Sequence, residues 1–416
     1  MNSCFQFLIC YSNKNLILIP FLFIFFSCSY KIPEQKKNSL SIHNEVEINF
    51  LIYMAGDNNL ERFGIQNIRA LQEIGSSKKC NILVLFDRSG GYDRTEGNWT
   101  NTKLFLISKN PKTMNDDCIY DFEELDMTSV DSLYNFLELV NTYFPAKHTI
   151  LDLWSHGRGV YPDGIISRSI IEDYTTGYGS TMMMSINDLA NCIKKFEDIS
   201  KKKIDIIFFD ACYMQMIEIC YQLKDLTDYI IGAETSIPGI GSNYKKIANF
   251  LINNDFSIRE LAEFFLSATS LSSTDYSYSL IDTSQIDTFL YYFNNFCEEL
   301  MNYSNYNEII EKRINMTKVA TVYPEFTDLY GFISNFENID GQNILLQSLS
   351  RLIVKSNSIG TFVDKTKGIG INFPYEESEI RFYKPEDTNY EILDFYNDTY
   401  FDELLLKVWA VLHIVE

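Results

Sequence analysis

Two residues of this chain could form and break a covalent bond to a carbonyl carbon. Cys212 ends the apolar run IDIIFFDACYMQ (Ile204–Gln215), and His156 ends TILDLWSH (Thr149–His156). A thiolate is a strong nucleophile, and an imidazole beside it can take the thiol proton and later protonate a leaving amine. Both runs read as buried strands, so each sends a reactive side chain out of the end of a core element. Ligand chemistry in open parallel sheets collects beyond the carboxyl ends of the strands. If the two strands are parallel neighbours, His156 and Cys212 emerge at one edge. The other histidines fit less well. His148 begins the strand that His156 ends, about 25 Å away at a strand's rise; His43 precedes the first strand and His413 lies near the chain end. Gly157, directly after His156, lets backbone approach a reacting group with no Cβ in the way. A lone strand-end Cys also reads as a small buried hydrophobe, and the pattern alone leaves both readings open.

The elements that must position these residues alternate between strand and helix. Glu47–Tyr53, Cys80–Phe86, Thr102–Ile107, Thr149–Ser155 and Ile204–Phe209 read as strands, most of them near-continuously apolar. Helical spacing runs from the AGDNNLE loop to about Ile74, and through Val130–Tyr143, Asp188–Phe196 and Ile258–Ala268. Apolar strands separated by helices indicate an α/β fold, a mainly parallel sheet covered on both faces. Tyr276–Ile281 and Gly368–Phe373 are later strands with helical patterns between them. The expected organisation is a domain over 47–285 and a smaller C-terminal subdomain over 286–416. A long polar loop, Gly157–Ser180, follows His156.

With 416 residues, 46% of them hydrophobic, the chain can bury a large core. Its formal net charge of −21 would repel phosphates and argues against nucleic acid as a partner. Leu16–Phe26 (LILIPFLFIFF) has the length of a signal-peptide apolar core and is short for a membrane span. It ends at Ser27-Cys28 and so resembles a bacterial lipoprotein signal. That resemblance implies removal of residues 1–27, lipidation of Cys28, a tether over 28–46, and an extracytoplasmic, membrane-anchored protein; plain secretion is the alternative. Cys4 and Cys10 would leave with the signal. No CxxC pair appears among the rest, so neither a zinc ribbon nor a disulfide framework is expected.

LWSHGRG (Leu153–Gly159) together with FFDACYM (Phe208–Met214) resembles the clostripain-like cysteine peptidases, relatives of caspases, legumain and gingipains. YMAGDNNLE (Tyr53–Glu61), GAETSIPGIGSNY (Gly232–Tyr244), YSLIDTSQID (Tyr278–Asp287) and GIGINFPY (Gly368–Tyr375) resemble further segments of that family. The resemblance implies a caspase-like fold and cleavage of peptides after Arg or Lys. It implies Cys212 as nucleophile, His156 as general acid and base, and the Gly157 and Cys212 N–H groups as an oxyanion hole. Asp210 matches the position that receives a basic substrate side chain, with Glu234 as a second acid; Thr235 and Ser242 depart from the family pattern near it. Because residues i and i+2 of a strand share a face, Asp210 is expected beside Cys212. Relatives often mature by self-cleavage in the loop after the histidine, which points to Arg168. No cofactor is required, but some relatives depend on calcium. Asp57, Asn58 and Asn59 could hold a cation, against a reading as a strand-end turn rich in capping types. Cys220 and Met182–Met184 read as core or loop filler with no metal role. The alternative function is a catalytically silent surface lipoprotein that binds peptides or proteins with the same fold.

Overall fold

The computed structural model describes residues 40–160, 162–163, 166–167, 169–174, 182–269, 275–303, 305–320, 322–337, 339–374 and 393–414. The signal segment, Cys28 and Arg168 lie outside the described residues.

The strands in chain order are β1 (Val46–Gly56), β2 (Cys80–Arg88), β3 (Thr102–Leu106), β4 (Cys118–Asp121), β5 (Ala146–Trp154), β6 (Pro162–Asp163), β7 (Ile166–Ser167), β8 (Ile170–Asp173), β9 (Met182–Met184) and β10 (Ile204–Asp210). There follow β11 (Thr227–Ala233), β12 (Tyr276–Asp282), β13 (Phe326–Asp328), β14 (Ile353–Ile359) and β15 (Gly370–Asn372). Nine of them form one sheet in the order β14-β12-β11-β10-β5-β1-β2-β3-β4. The five central strands, β11-β10-β5-β1-β2, are mutually parallel. Two antiparallel strands extend each edge. The fold is therefore α/β with a mainly parallel centre. Thr102–Leu106 falls on an antiparallel flank, joined to β2 by a connection that carries no crossover helix.

Alternation along the strands sorts side chains to two cores. Leu51, Tyr53, Leu151, Leu153, Ile207 and Phe209 face one side, covered by the helices Val130–Tyr143, Ile186–Ser200 and Ile217–Leu223. Phe50, Ile52, Ile150, Trp154, Ile206 and Phe208 face the other, covered by Glu61–Gln72, Tyr244–Asn253 and Ile258–Ala268. Phe208 and Phe209 are fully buried on opposite faces, each stabilising the fold by roughly 1.5–3 kcal/mol. Serine caps start several of these helices: Ser129, Ser185 and Ser257 accept from the Asp131, Asp188 and Glu260 backbone N–H groups. The later segment adds β14 to the edge of the same sheet, and the β13–β15 pair docks beside it, where Gly370 N–H donates to the Gln215 carbonyl at 2.8 Å.

One buried ion pair fixes the loop after β1. Glu61 opens the first helix and meets Arg88, at the end of β2, at 2.7 Å, both side chains fully buried. Its second oxygen accepts from Asp93 N–H. Removing either partner would leave a buried charge uncompensated, at a cost of about 3–5 kcal/mol. The loop Asp57–Leu60 is thus tied at its far end to the end of the neighbouring strand.

Candidate active site

From β1 the chain proceeds to β2 on one side, and from β5 to β10 on the other. The crevice at the carboxyl ends of β1 and β5 is therefore the topological switch point where ligands bind in such sheets. Trp154 of β5 lies opposite Asp210 of β10 in parallel register. His156 and Cys212, each two residues further on, emerge at the same edge. His148 lies at the other edge, paired with Asp205 at 2.8 Å. The two active-edge segments are in tight contact. A Cβ on Gly157 would collide with the Cys212 carbonyl oxygen and approach Ala211 Cβ at 3.1 Å. Only glycine allows this packing.

The His156 ring is held from two directions. Its Nε2 lies 2.6 Å from Asn59 Oδ1 and 3.6 Å from Glu172 Oε2. An amide oxygen only accepts, so with this orientation the ring proton sits on Nε2 and the Nδ1 lone pair is left to take a proton. Burial holds the imidazole pKa below its ordinary value; the Glu172 carboxylate opposes that shift and the Arg158 guanidinium reinforces it. Glu172 is shared, since Arg158 meets its other oxygen at 2.9 Å. The strand carrying Glu172 is pinned to the loop after β5: Glu172 N–H donates to Ser155 Oγ, Ile171 N–H to the His156 carbonyl, and Arg158 N–H to the Ser169 carbonyl.

Cys212 is half-buried beyond the end of β10. Burial pushes its thiol pKa up, Asp210 pushes the same way, and the Ile237 N–H, donating to Sγ at 3.3 Å, opposes them. The resting pair is therefore a neutral imidazole and a thiol. Among the described residues no hydrogen bond joins the two, and the thiol is engaged with the Ile237 segment. Neither the Gly157 N–H nor the Cys212 N–H donates to a protein acceptor among the described residues, which leaves both available to an incoming oxygen. Tyr213 has φ +61°, a left-handed conformation that a bulky side chain adopts only under constraint. Its N–H donates to the Thr235 carbonyl, and its ring packs on Tyr323 and Phe326.

That turn refines one expectation. The strand ends at Asp210, so regular alternation does not carry on to Cys212. Asp210 stays on the Phe208 face; Cys212 also touches the core on the Phe209 face, while its thiol reaches the Ile237 segment on the Phe208 side and remains in the field of Asp210. The Asp210 carboxylate is nearly fully buried. Its Oδ2 accepts from Ser242 N–H at 3.0 Å and meets the Tyr244 hydroxyl at 2.9 Å, and Oδ1 has a longer 3.5 Å contact with the Tyr278 hydroxyl. Burial raises its pKa to about 6, with those donors opposing.

Glu234 is a correction. Ala233 faces the Phe208 side, so Glu234 points to the opposite face from Asp210. There it is buried, accepts from Gly368 N–H at 3.0 Å, and lies in the field of Asp328, which accepts from the Lys367 and Gly331 N–H groups. Burial holds its pKa well above the carboxylate range. Glu234 anchors the segment leading into β15 and does not join Asp210. Cys80, Cys118, Cys192, Cys220 and Cys297 are free thiols like Cys212, and Cys220, Met183 and Met184 lie in the core.

The acidic loop after β1 divides its labour. Asn58 does turn work: its Oδ1 accepts from Leu60 N–H, and its amide donates to the Ala55 and Glu172 carbonyls. Asn59 turns to His156. Asp57 joins Asp87 and Asp173, whose buried carboxylate oxygens all lie within 4.8 Å of one another. Glu124 adds to their field; burial, then Asp57 and Asp173, push its pKa to about 8. Asp87 is fully buried. Its Oδ1 accepts from Thr102 Oγ1 at 2.9 Å, and its Oδ2 has no hydrogen-bond partner. An all-oxygen, acidic donor set of this kind fits a hard divalent cation such as calcium. Sequence reading missed Asp87, Asp173 and Glu172, and it read Asn59 as a cation or turn residue where the structure sets it against His156. Only their positions at strand ends beside the switch point could have signalled them.

The fold and the strand-end Cys and His define an α/β protein with its reactive groups at the carboxyl edge of a parallel-centred sheet. A sequence model described as the clostripain family matches residues 52–409, and the chain belongs to that family. Clostripain of Hathewaya histolytica is 24% identical over 225 residues, which cover 48% of this chain and 41% of clostripain, so the match spans about two fifths of that relative's length. A secreted C11 cysteine protease from Bacteroides thetaiotaomicron, solved with an irreversible peptide inhibitor, superposes with a TM-score of 0.65 at 23% identity, over 85% of this chain and 98% of that one. An inactive zymogen C11 protease from Parabacteroides distasonis gives 0.64 at 22% identity, over 87% and 99%. These two structures share the fold described above.

Proposed function

We propose that this protein is a cysteine endopeptidase that cleaves proteins or peptides after Arg or Lys, with Cys212 as nucleophile and His156 as its acid and base. The observation that carries the reading is the convergence of the neutral His156 imidazole and the Cys212 thiol at one sheet edge, beside two N–H groups that find no acceptor among the described residues. His156 Nδ1 takes the thiol proton as Sγ attacks the scissile carbonyl carbon. The carbonyl oxygen becomes an oxyanion facing the Gly157 and Cys212 N–H groups. The intermediate collapses as the imidazole gives that proton to the leaving amine, and water then hydrolyses the thioester. Asp210 is the acid that a basic side chain would reach. Membership of the clostripain family supports the reaction class. The test is to label the purified protein with an Arg- or Lys-directed chloromethyl ketone and map the adduct by mass. Modification of Cys212 is expected; modification elsewhere, or none in a folded sample, would overturn the reading.

Maturation and location belong to the same proposal. The N-terminal signal pattern supports lipidation at Cys28 and an extracytoplasmic, membrane-anchored protein, and among the described residues no helix is long and apolar enough to cross a membrane. Self-cleavage is proposed after Arg168. Ser169 is buried, and its N–H donates to the Met184 carbonyl, so the new amino terminus would stay attached to the fold. Peptide mass mapping of the active, membrane-extracted protein should find Cys28 carrying a thioether-linked diacylglycerol and an amide-linked acyl chain, and a terminus at Ser169. An unmodified N-terminal segment in the aqueous phase would overturn the anchor, and a fully active unnicked chain would overturn the cleavage.

Calcium is proposed as a structural ligand of Asp57, Asp87 and Asp173, with Glu124 nearby. A cation there would offset the mutual repulsion of these carboxylates and brace the loop that carries Asn59 against the strand that carries Glu172. Binding to the folded state alone adds about 2.7 kcal/mol at a free concentration of roughly 100 Kd. Calcium should therefore raise the thermal midpoint of the wild type and leave Asp87→Asn unmoved. Equal responses of the two proteins would sink this assignment.

A further inference from the structure

Beneath the active edge lies a second buried acid that the chemistry above does not use. Asp152, in β5, is fully buried on the same face as Asp210. The two carboxyl groups meet the same hydroxyl: Tyr244 Oη is 2.8 Å from Asp152 Oδ2 and 2.9 Å from Asp210 Oδ2. A phenol carries one hydrogen and can donate to only one of them. The other contact closes as a hydrogen bond only if that carboxyl itself carries a proton and donates it to the Tyr244 oxygen. The surroundings decide which one does. Asp210 has further donors, the Ser242 N–H and, at longer range, the Tyr278 hydroxyl. Asp152 has none: its Oδ1 is buried with no hydrogen-bond partner. A carboxylate with a bare buried oxygen is the costlier anion, and two adjacent carboxylates resist ionising together.

We propose that Asp152 is a neutral carboxylic acid that donates to the Tyr244 hydroxyl, which donates in turn to Asp210, so that Asp210 alone carries the charge offered to a basic substrate side chain. Asp152 is then a positioning residue for substrate selection, acting through Tyr244. This rests on the reading of Asp210 given above. The titratable groups facing the pair are Tyr244 from the helix Tyr244–Asn253, Tyr278 from β12, and Cys212 beyond β10. Their ordinary pKa values are high, and burial holds those of Tyr244, Tyr278 and Cys212 higher still, so they do not compete for the shared proton near neutrality. Burial, then the neighbouring Asp210 charge, holds Asp152 well above the carboxylate range, in agreement with the geometry.

The relay separates variants that a purely structural role would not. In Asp152→Asn an amide N–H replaces the acid O–H as donor, and kcat/KM for Arg and Lys substrates should stay within about threefold of wild type, as expected when a hydrogen bond is kept. Asp152→Leu removes the donor and should raise KM for basic substrates by up to about tenfold, the worth of a hydrogen bond between neutral groups, with kcat less affected. Tyr244→Phe removes the hydrogen bond to the charged Asp210 itself and should raise KM by roughly tenfold to a hundredfold, and the double variant should be no worse than Tyr244→Phe alone. A loss in Asp152→Asn as large as that in Asp210→Asn would mean that Asp152 is a second anion, and additive losses in the double variant would mean that there is no relay. Both outcomes overturn the proposal. A readout that needs no substrate guards against misfolding of the Leu variant. The infrared difference between wild type and Asp152→Asn at neutral pH should contain the carbonyl stretch of a protonated carboxylic acid, and its absence also overturns the proposal. If instead the band is present but Asp210→Asn harms basic and neutral substrates alike, the neutral acid stands and it is the reading of Asp210 that fails.

Discussion

Cys212→Ala should abolish peptide-bond cleavage while leaving the protein folded. Losing the covalent nucleophile costs on the order of 10⁶-fold in kcat in a peptidase whose nucleophile and base act as a unit. The substitution deletes one half-buried sulfur atom at the end of β10 and leaves the turn at Tyr213 with its hydrogen bond to Thr235. Thermal unfolding should therefore shift little. Two controls locate the chemistry. Cys220→Ala opens a small cavity in the core, so it should lower stability, yet the folded fraction should turn over substrate normally. His148→Ala breaks the contact with Asp205 at the far edge and should also leave turnover intact. Initial rates on a fluorogenic Arg substrate, with unfolding curves for each variant, decide the matter. Substantial turnover by folded Cys212→Ala would refute the mechanism.

The second large effect concerns Asp210. Removing one partner of a buried charge pair costs roughly 2–5 kcal/mol. At about 1.4 kcal/mol per decade, that is a loss on the order of 30-fold to several thousand-fold in kcat/KM for Arg and Lys substrates in Asp210→Asn. The structure adds a smaller, general cost. An amide that turns its NH₂ toward the Ser242 N–H loses that hydrogen bond, so stability should fall by about 1–3 kcal/mol for an unsatisfied buried group. A pH profile separates the two contributions, since kcat/KM reports groups of the free enzyme. Asp210 has a pKa raised to about 6, so as pH falls through that value its charge, and with it the advantage of a basic substrate, is lost. The His156 pKa is lowered, so the base stays competent below the ordinary imidazole range. Wild type should therefore show an acid limb with basic substrates that includes the loss of the Asp210 charge near 6, whereas with neutral substrates the limb should follow His156 without that contribution. In Asp210→Asn the two limbs should coincide. Equal losses on basic and neutral substrates, with limbs that already coincide in wild type, would show that Asp210 supports the site without reading the substrate.

The sequence carried the scaffold of the site further than its details. Runs such as Ile204–Phe209 and Ile150–Trp154 are apolar on both faces, which only a sheet covered on two sides tolerates, so strand identity and the parallel centre were legible. The common edge of His156 and Cys212 follows from strand direction once the two strands are parallel neighbours, as the register has them. What failed was local geometry. Period-two reasoning put Asp210 and Cys212 on one face, but the left-handed residue Tyr213 belongs to a turn that begins immediately after Asp210. The resemblance groups Glu234 with Asp210, but Glu234 lies just past β11 and is held away from Asp210 by its bonds to Ser277 and Gly368. Groups assembled from distant segments were invisible. Asn59 and His156 are 97 positions apart, and Tyr244 and Asp152 are 92 apart. No short-range pattern marks such pairs, because the sheet order that joins them is a property of the whole chain.

The collision that any side chain at Gly157 would meet has a mechanical consequence. The segment bearing the imidazole and the segment bearing the thiol rest backbone against backbone, with no side-chain layer between them to act as a bearing. Neither can slide or hinge past the other without parting that contact. Thermal motion should therefore carry the two as one body, keeping their relative position nearly constant while the cleft breathes. Movement that admits a polypeptide must come from outside this contact, as in the turn Ser236–Ser242. Backbone relaxation should accordingly find strongly correlated, low-amplitude motion at 156–157 and 211–212, and larger independent motion in that turn.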